Sequence, residues 1–199
     1  MVEWKGKTMP STRYMEMYAG YWPKASELIY NLIRKNVKPG DKICEVGFAS
    51  GHLLVNFALE GYSVSGYEIR ADVYEKTRNK FQNNGIVANL YKKDVMEAEE
   101  AYDLLYSTGL LQCLPDEKRK QMILKFAGMT RKLIIVVPDI QHDRGDDTET
   151  EVGVAGCKEY RTSSIESLLK DCFGQVHCGK WSKKELGLPD EFRYYICER

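Results

Sequence analysis

The feature that most restricts how this chain can fold is an alternation, between Lys42 and Val137, of short apolar runs with longer amphipathic segments. Lys42 to Val46, Ser63 to Glu68, Val87 to Tyr91, Tyr102 to Ser107 and Lys132 to Val137 read as strands. Gly51 to Glu60, Ala71 to Asn83 and Asp116 to Ala127 read as helices between them, and the acidic connector Glu97 to Glu100 precedes the fourth strand. Strands separated by helices of this length form right-handed βαβ units, and these build a parallel sheet. The expected fold class is therefore α/β, a doubly wound, mostly parallel sheet. Gly174 to Trp181 and Phe192 to Cys197 read as closing strands, an antiparallel hairpin that brings the sheet to seven strands.

The flanks are less regular. Spacings of three and four put Tyr14, Tyr18 and Tyr21 on one side of a helix within Ser11 to Trp22. Pro23 suits the first turn of a second helix that runs to about Asn36, with Ala25, Leu28, Ile29, Leu32 and Ile33 inward. Beyond Pro138 comes a polar, acidic stretch of a length that suits a lid or a disordered loop. Thr162-Ser163-Ser164 with Glu166 then offers an N-cap for a helix through Asp171.

Charge excludes some functions. Lys plus Arg and Asp plus Glu number 29 each, and this balance argues against a large nucleic-acid footprint, which needs basic excess. No apolar run is long enough to span a bilayer, and Met1 to Lys5 lack the apolar core of a signal peptide. The six scattered cysteines read as buried, reduced thiols, with no metal site, in a cytoplasmic protein.

The first strand leaves through Glu45-Val46-Gly47-Phe48-Ala49-Ser50-Gly51. In an open parallel sheet, ligands bind beyond the carboxyl ends of the strands, near the reversal of strand order. Small residues at Gly47, Ala49 and Gly51 let the backbone turn sharply and approach a ligand, and the following helix presents free N–H groups. Glu68 ends the second strand, where a carboxylate can accept hydrogen bonds from a ribose diol. A dinucleotide fingerprint would need a third glycine where His52 stands. Small residues at two-residue spacing, with an acid two places before the first glycine, suit a cationic ligand instead.

Residues 40 to 138 resemble the class I S-adenosylmethionine-dependent methyltransferases. The E/D-x-G-x-G-x-G motif of that family matches Glu45 to Gly51, with Ala49 in place of the middle glycine. The resemblance implies a Rossmann-like methyltransferase fold with S-adenosylmethionine as cofactor. It implies that Glu45, Gly47, Ala49 and Gly51 lie along the methionine part and that Glu68 holds the ribose. Asp94, followed by Val95, would sit near the adenine amino group, and Ser107 at the exit of the fourth strand would complete the site. Many small-molecule members carry histidine where Gln112 stands.

One domain, 1–199, is expected: an N-terminal helical cap (1–36), a cofactor-binding core (40–138), an acidic loop (139–162) and closing helix and strands (163–199). Its expected activity is methyl transfer to a small-molecule acceptor by in-line displacement, in a monomer or homodimer. Catalytic candidates are Tyr18 in the cap, and Asp139 and His142 beyond the fifth strand. Two other readings stay open: a methyltransferase that acts on protein or RNA with a partner, and a silent module that only binds the cofactor.

Overall fold

A computed structural model describes residues 2–4, 7–9, 23–143, 159–188 and 190–199. Strands β1 (Val2–Trp4) and β2 (Lys7–Met9) pair antiparallel, so this part of the expected cap is not helical. The tyrosine-bearing segment with Tyr14, Tyr18 and Tyr21 lies outside the described residues. Helix α1 (Pro23–Arg34) follows the expected second helix, with Ala25, Ile29 and Ile33 buried and Leu28 and Leu32 half-buried.

Seven strands make the central sheet: β3 (Lys42–Val46), β4 (Ser63–Tyr67), β5 (Asn89–Tyr91), β6 (Tyr102–Thr108), β7 (Thr130–Pro138), β8 (Gln175–Trp181) and β9 (Phe192–Glu198). Their order is β5-β4-β3-β6-β7-β9-β8. β9 runs antiparallel to both neighbours and the other pairs are parallel. The closing strands do pair antiparallel as expected. β9 also inserts between β7 and β8, which segment order alone does not reveal.

Helices α2 (His52–Leu59) and α3 (Ala71–Asn83) join α1 over one face, where Ile29, Ile33, Leu54, Phe57, Phe81 and Ile134 form one core. Helices α4 (Asp116–Met129) and α5 (Ile165–Lys170) cover the other, packing Ile123, Phe126, Ile165 and Leu169 on Leu105, Leu133 and Ile135. β7 is buried on both faces from Leu133 to Val137, as its unbroken apolar run requires of a central strand. The chain winds outward from β3 to β5, then returns to start again at β6 beside β3. The carboxyl ends of β3 and β6 therefore flank the switch point, where such a sheet opens a crevice.

Several local expectations change. Val87 is 87% exposed and lies outside β5, which keeps only three residues. Ser164 precedes α5 without capping it, because its hydroxyl donates to Asp116 and accepts from the Arg119 guanidinium. Arg119 is fully buried and donates to the carbonyls of Leu111, Tyr160 and Arg161 as well as to Asp116. It ties the turn after β6 to the segment before α5. The described base of the acidic loop is closed by Thr162 N–H donating to the Ile140 carbonyl at 2.9 Å and by Arg161 N–H donating to Asp143. The thiol expectation is also corrected: Cys178 is exposed and Cys113 is disulfide-bonded, while Cys44 and Cys197 are buried and free. Among the described residues no helix is long and apolar enough to cross a membrane.

Gly66 of β4 lies opposite Glu45 of β3, and a Cβ there would stand 2.6 Å from the Phe48 ring. Phe48 is 1% exposed, and its ring must shift to admit the methyl group. Gly66→Ala is expected to cost about 1–3 kcal/mol through overpacking. Thermal melts should show a drop of roughly 2–4 °C per kcal/mol.

Candidate active site

A cavity of about 530 Å³ opens at the carboxyl ends of β3, β4 and β6. Its floor is the loop after β3, and the left-handed geometry there explains the small residues. Gly47, Ala49 and Gly51 have φ of +76°, +42° and +62°. Ala49 is the one described non-glycine residue with positive φ, a conformation that costs an L-residue roughly 1–2 kcal/mol. Two contacts hold it: Ala49 N–H donates to Glu68 Oε2 at 3.2 Å, and Thr77 Oγ1 donates to the Ala49 carbonyl at 2.6 Å.

Glu45, Gly47, Ala49, Glu68, Asp94 and Val95 all line this cavity. The remaining two members of the expected cofactor set do not. Gly51 packs behind the loop, where a Cβ would meet Thr77 and Phe81 of α3 at 2.9 Å. Ser107 is buried beneath, its hydroxyl donating to the Val46 carbonyl at 3.0 Å. Asp94 caps the short turn Val95–Glu97 by accepting from Met96 N–H at 3.0 Å, which fixes its carboxylate at the cavity edge.

The buried carboxylates differ. Glu45 sits inside β3, 2% exposed, and accepts from the Tyr106 hydroxyl at 3.0 Å. Burial raises its pKa to about 8; the Tyr106 hydrogen bond opposes this and the Glu68 charge adds to it. Glu45 therefore holds its proton at neutral pH. Glu68, 4% exposed, accepts from two backbone N–H groups and from the guanidinium of Arg70.

Two of the catalytic candidates, Asp139 and His142, fall elsewhere. Tyr18 lies outside the described residues. Asp139 does not line the cavity; it accepts from Arg193 at 2.9 Å, Lys180 at 3.0 Å and Gln141 at 2.8 Å. Burial would raise its pKa, but hydrogen bonds from Lys180 and Arg193 outweigh that and hold the carboxyl below its ordinary value. Asp139 thus clamps β7 to β9 and β8, away from the cavity. His142 is exposed on the surface.

Among the lining residues that sequence reasoning missed are His52 and Arg70. His52 opens α2 between Ser26 and Ser50, whose hydroxyls lie 3.1 Å from Nε2 and 3.0 Å from Nδ1. Burial, aided by Lys80, lowers its pKa to about 4 and keeps the ring neutral. A lone histidine carries no spacing signal, and Ser26 is 26 residues away. For Arg70, adjacency to Glu68 was the available signal.

The comparisons agree with this geometry. Residues 43–132 match the methyltransferase-domain family. Over that stretch the chain matches a methyltransferase domain, as expected from its resemblance to the class I S-adenosylmethionine-dependent family. It is an enzyme, with S-adenosylmethionine as its cofactor. The PH0226 protein from Pyrococcus horikoshii has a similar structure, with a TM-score of 0.73 at 14% identity over 94% of this chain and 99% of that one. The magnesium protoporphyrin IX methyltransferase of Synechocystis, solved with S-adenosylhomocysteine, gives 0.70 at 17% identity over 88% and 82%. An S-adenosylmethionine-dependent methyltransferase from Clostridium acetobutylicum gives 0.63 at 15% over 89% and 91%. No curated protein matches the chain. The residues present fit the cofactor: three acidic side chains and a loop with left-handed backbone converge on one cavity beside the apolar Ile69, Leu110 and Met122.

The raised Glu45 pKa has a consequence for stability. Between about pH 4.5 and 8 the folded protein binds a proton that the unfolded chain has released, so stability falls as pH rises through this window. Gln at this position keeps an acceptor for Tyr106 and does not titrate. The Tm advantage of Glu45→Gln over wild type should therefore grow from pH 5 to pH 8 in thermal melts. A constant difference would mean that Glu45 is ionised throughout.

Proposed function

We propose that this enzyme transfers a methyl group from S-adenosylmethionine to a small-molecule acceptor. The observation that carries the reading is the meeting of Glu45, Glu68 and the left-handed loop in one cavity at the sheet's switch point. In this reading Glu68 accepts the ribose hydroxyls, and Asp94 and Val95 take the adenine edge. Ile69, Leu110 and Met122 give that ring an apolar setting. Glu45 meets the cationic end, where a nearby positive charge favours loss of its proton.

When bound, S-adenosylmethionine supplies an electrophilic methyl group that carries its own leaving group. The task of the chain is then to position the reactants and exclude water. Glu45, the Gly47 and Ala49 backbone and Glu68 orient the donor. The disposition of Asp139 argues against a carboxylate base at the end of β7, and favours an acceptor that is already nucleophilic or a base from another segment. Balanced charge supports a small acceptor over a nucleic acid. The Synechocystis neighbour, by its name a magnesium protoporphyrin IX methyltransferase, lends the same support.

S-adenosylhomocysteine should raise the Tm, with about 2.7 kcal/mol of stabilisation at 100 times Kd. Glu68→Ala should weaken its binding at least about tenfold in calorimetry, the worth of one charged hydrogen bond, while the fold persists. Equal affinity would move the ribose away from Glu68. Labelled donor incubated with a metabolite extract should give a labelled small molecule; label on protein or RNA alone would overturn the acceptor class.

A further inference from the structure

Glu68 has no oxygen to spare for a ribose. Its Oε1 accepts from Arg70 N–H at 3.0 Å and Arg70 Nε at 3.1 Å. Its Oε2 accepts from Ala49 N–H at 3.2 Å and Arg70 Nη2 at 3.3 Å. A carboxylate offers about four lone-pair sites, and four donors fill them.

These donors are of two kinds. The Ala49 and Arg70 N–H groups are main chain, fixed by the loop after β3 and by the entry to α3. The other two belong to a long side chain that is 28% exposed and lines the cavity together with Glu68. Of the four, only the guanidinium pair can leave without unmaking the fold. A ribose diol brings two O–H donors, the number that the guanidinium supplies, so the buried carboxylate keeps its hydrogen bonds through the exchange.

We propose that Arg70 is a displaceable stand-in for the ribose diol, resting on the reading of Glu68 as the ribose-binding residue. In the free protein its guanidinium closes Glu68, and an adenosine-bearing ligand displaces it. Arg70 thereby supports the free site and competes with the ligand. A residue of this kind lowers affinity in exchange for a satisfied carboxylate, and its removal acts on the free state alone.

Calorimetry with S-adenosylhomocysteine tests this on the full chain. Arg70→Ala should melt lower than wild type without ligand, yet bind S-adenosylhomocysteine more tightly, roughly tenfold for one charge-assisted hydrogen bond relieved. Arg70→Gln, which can reach one oxygen, should fall between. In the wild type, the Arg70 Nε–H signal in ¹⁵N spectra, identified by its loss in Arg70→Gln, should lose protection from solvent exchange on saturation with S-adenosylhomocysteine. Equal or weaker binding by Arg70→Ala, or an Nε–H that stays protected at saturation, would overturn the displacement and leave the donor site standing. Failure of wild type to bind S-adenosylhomocysteine would instead remove the site reading on which the proposal rests.

Discussion

The peptide units of Ala49 are held from both sides, and the cavity depends on that grip. Its φ of +42° is a conformation that an alanine leaves when it can. Glu68 from the end of β4 takes the N–H, and Thr77 from α3 gives its hydroxyl to the carbonyl. The residue cannot relax without breaking both bonds. Backbone in such a region persists where its surroundings over-determine it. Here those surroundings are the next strand and helix of the sheet, so the loop inherits its shape from the βαβ winding.

The same bond joins loop geometry to charge. Glu68 shapes the loop through Ala49 while its carboxylate lines the cavity. Glu45 is placed differently: it lies within β3, pressed between Tyr106 and the core, and keeps its proton. His52, another lining residue, sits between two hydroxyls and is kept neutral by burial. At neutral pH the floor of the site thus carries little net charge from Glu45 and His52.

How far the sequence could be read depended on the range of the interactions. The winding from β3 to β7 was legible because each strand is an apolar run bounded by turn residues. The donor loop was legible because its left-handed positions demand small side chains at fixed spacing, and Ala49 departs from that pattern only mildly. Interactions between distant segments were hidden. Asp139 read as a catalytic candidate because nothing near it in sequence announces Arg193, 54 residues on, as its partner. Ser164 read as a helix cap because Arg119, 45 residues earlier, competes for its hydroxyl invisibly. β9 entered between β7 and β8 for a reason that no local pattern encodes.

The Arg119 clamp has a consequence for the order of assembly. The donor loop closes through contacts that span 19 and 28 residues, all made by chain before residue 80. The wall beyond β6 waits on Arg119 reaching Tyr160, Arg161 and Ser164, 41 to 45 residues away, with the acidic stretch between. Contacts of greater sequence separation form against a larger loss of chain freedom, and they govern how fast a fold completes. On a ribosome the loop after β3 and its partners would have all their residues before the opposite wall has been synthesised. The two sides of one cavity thus belong to different moments in the life of the nascent chain.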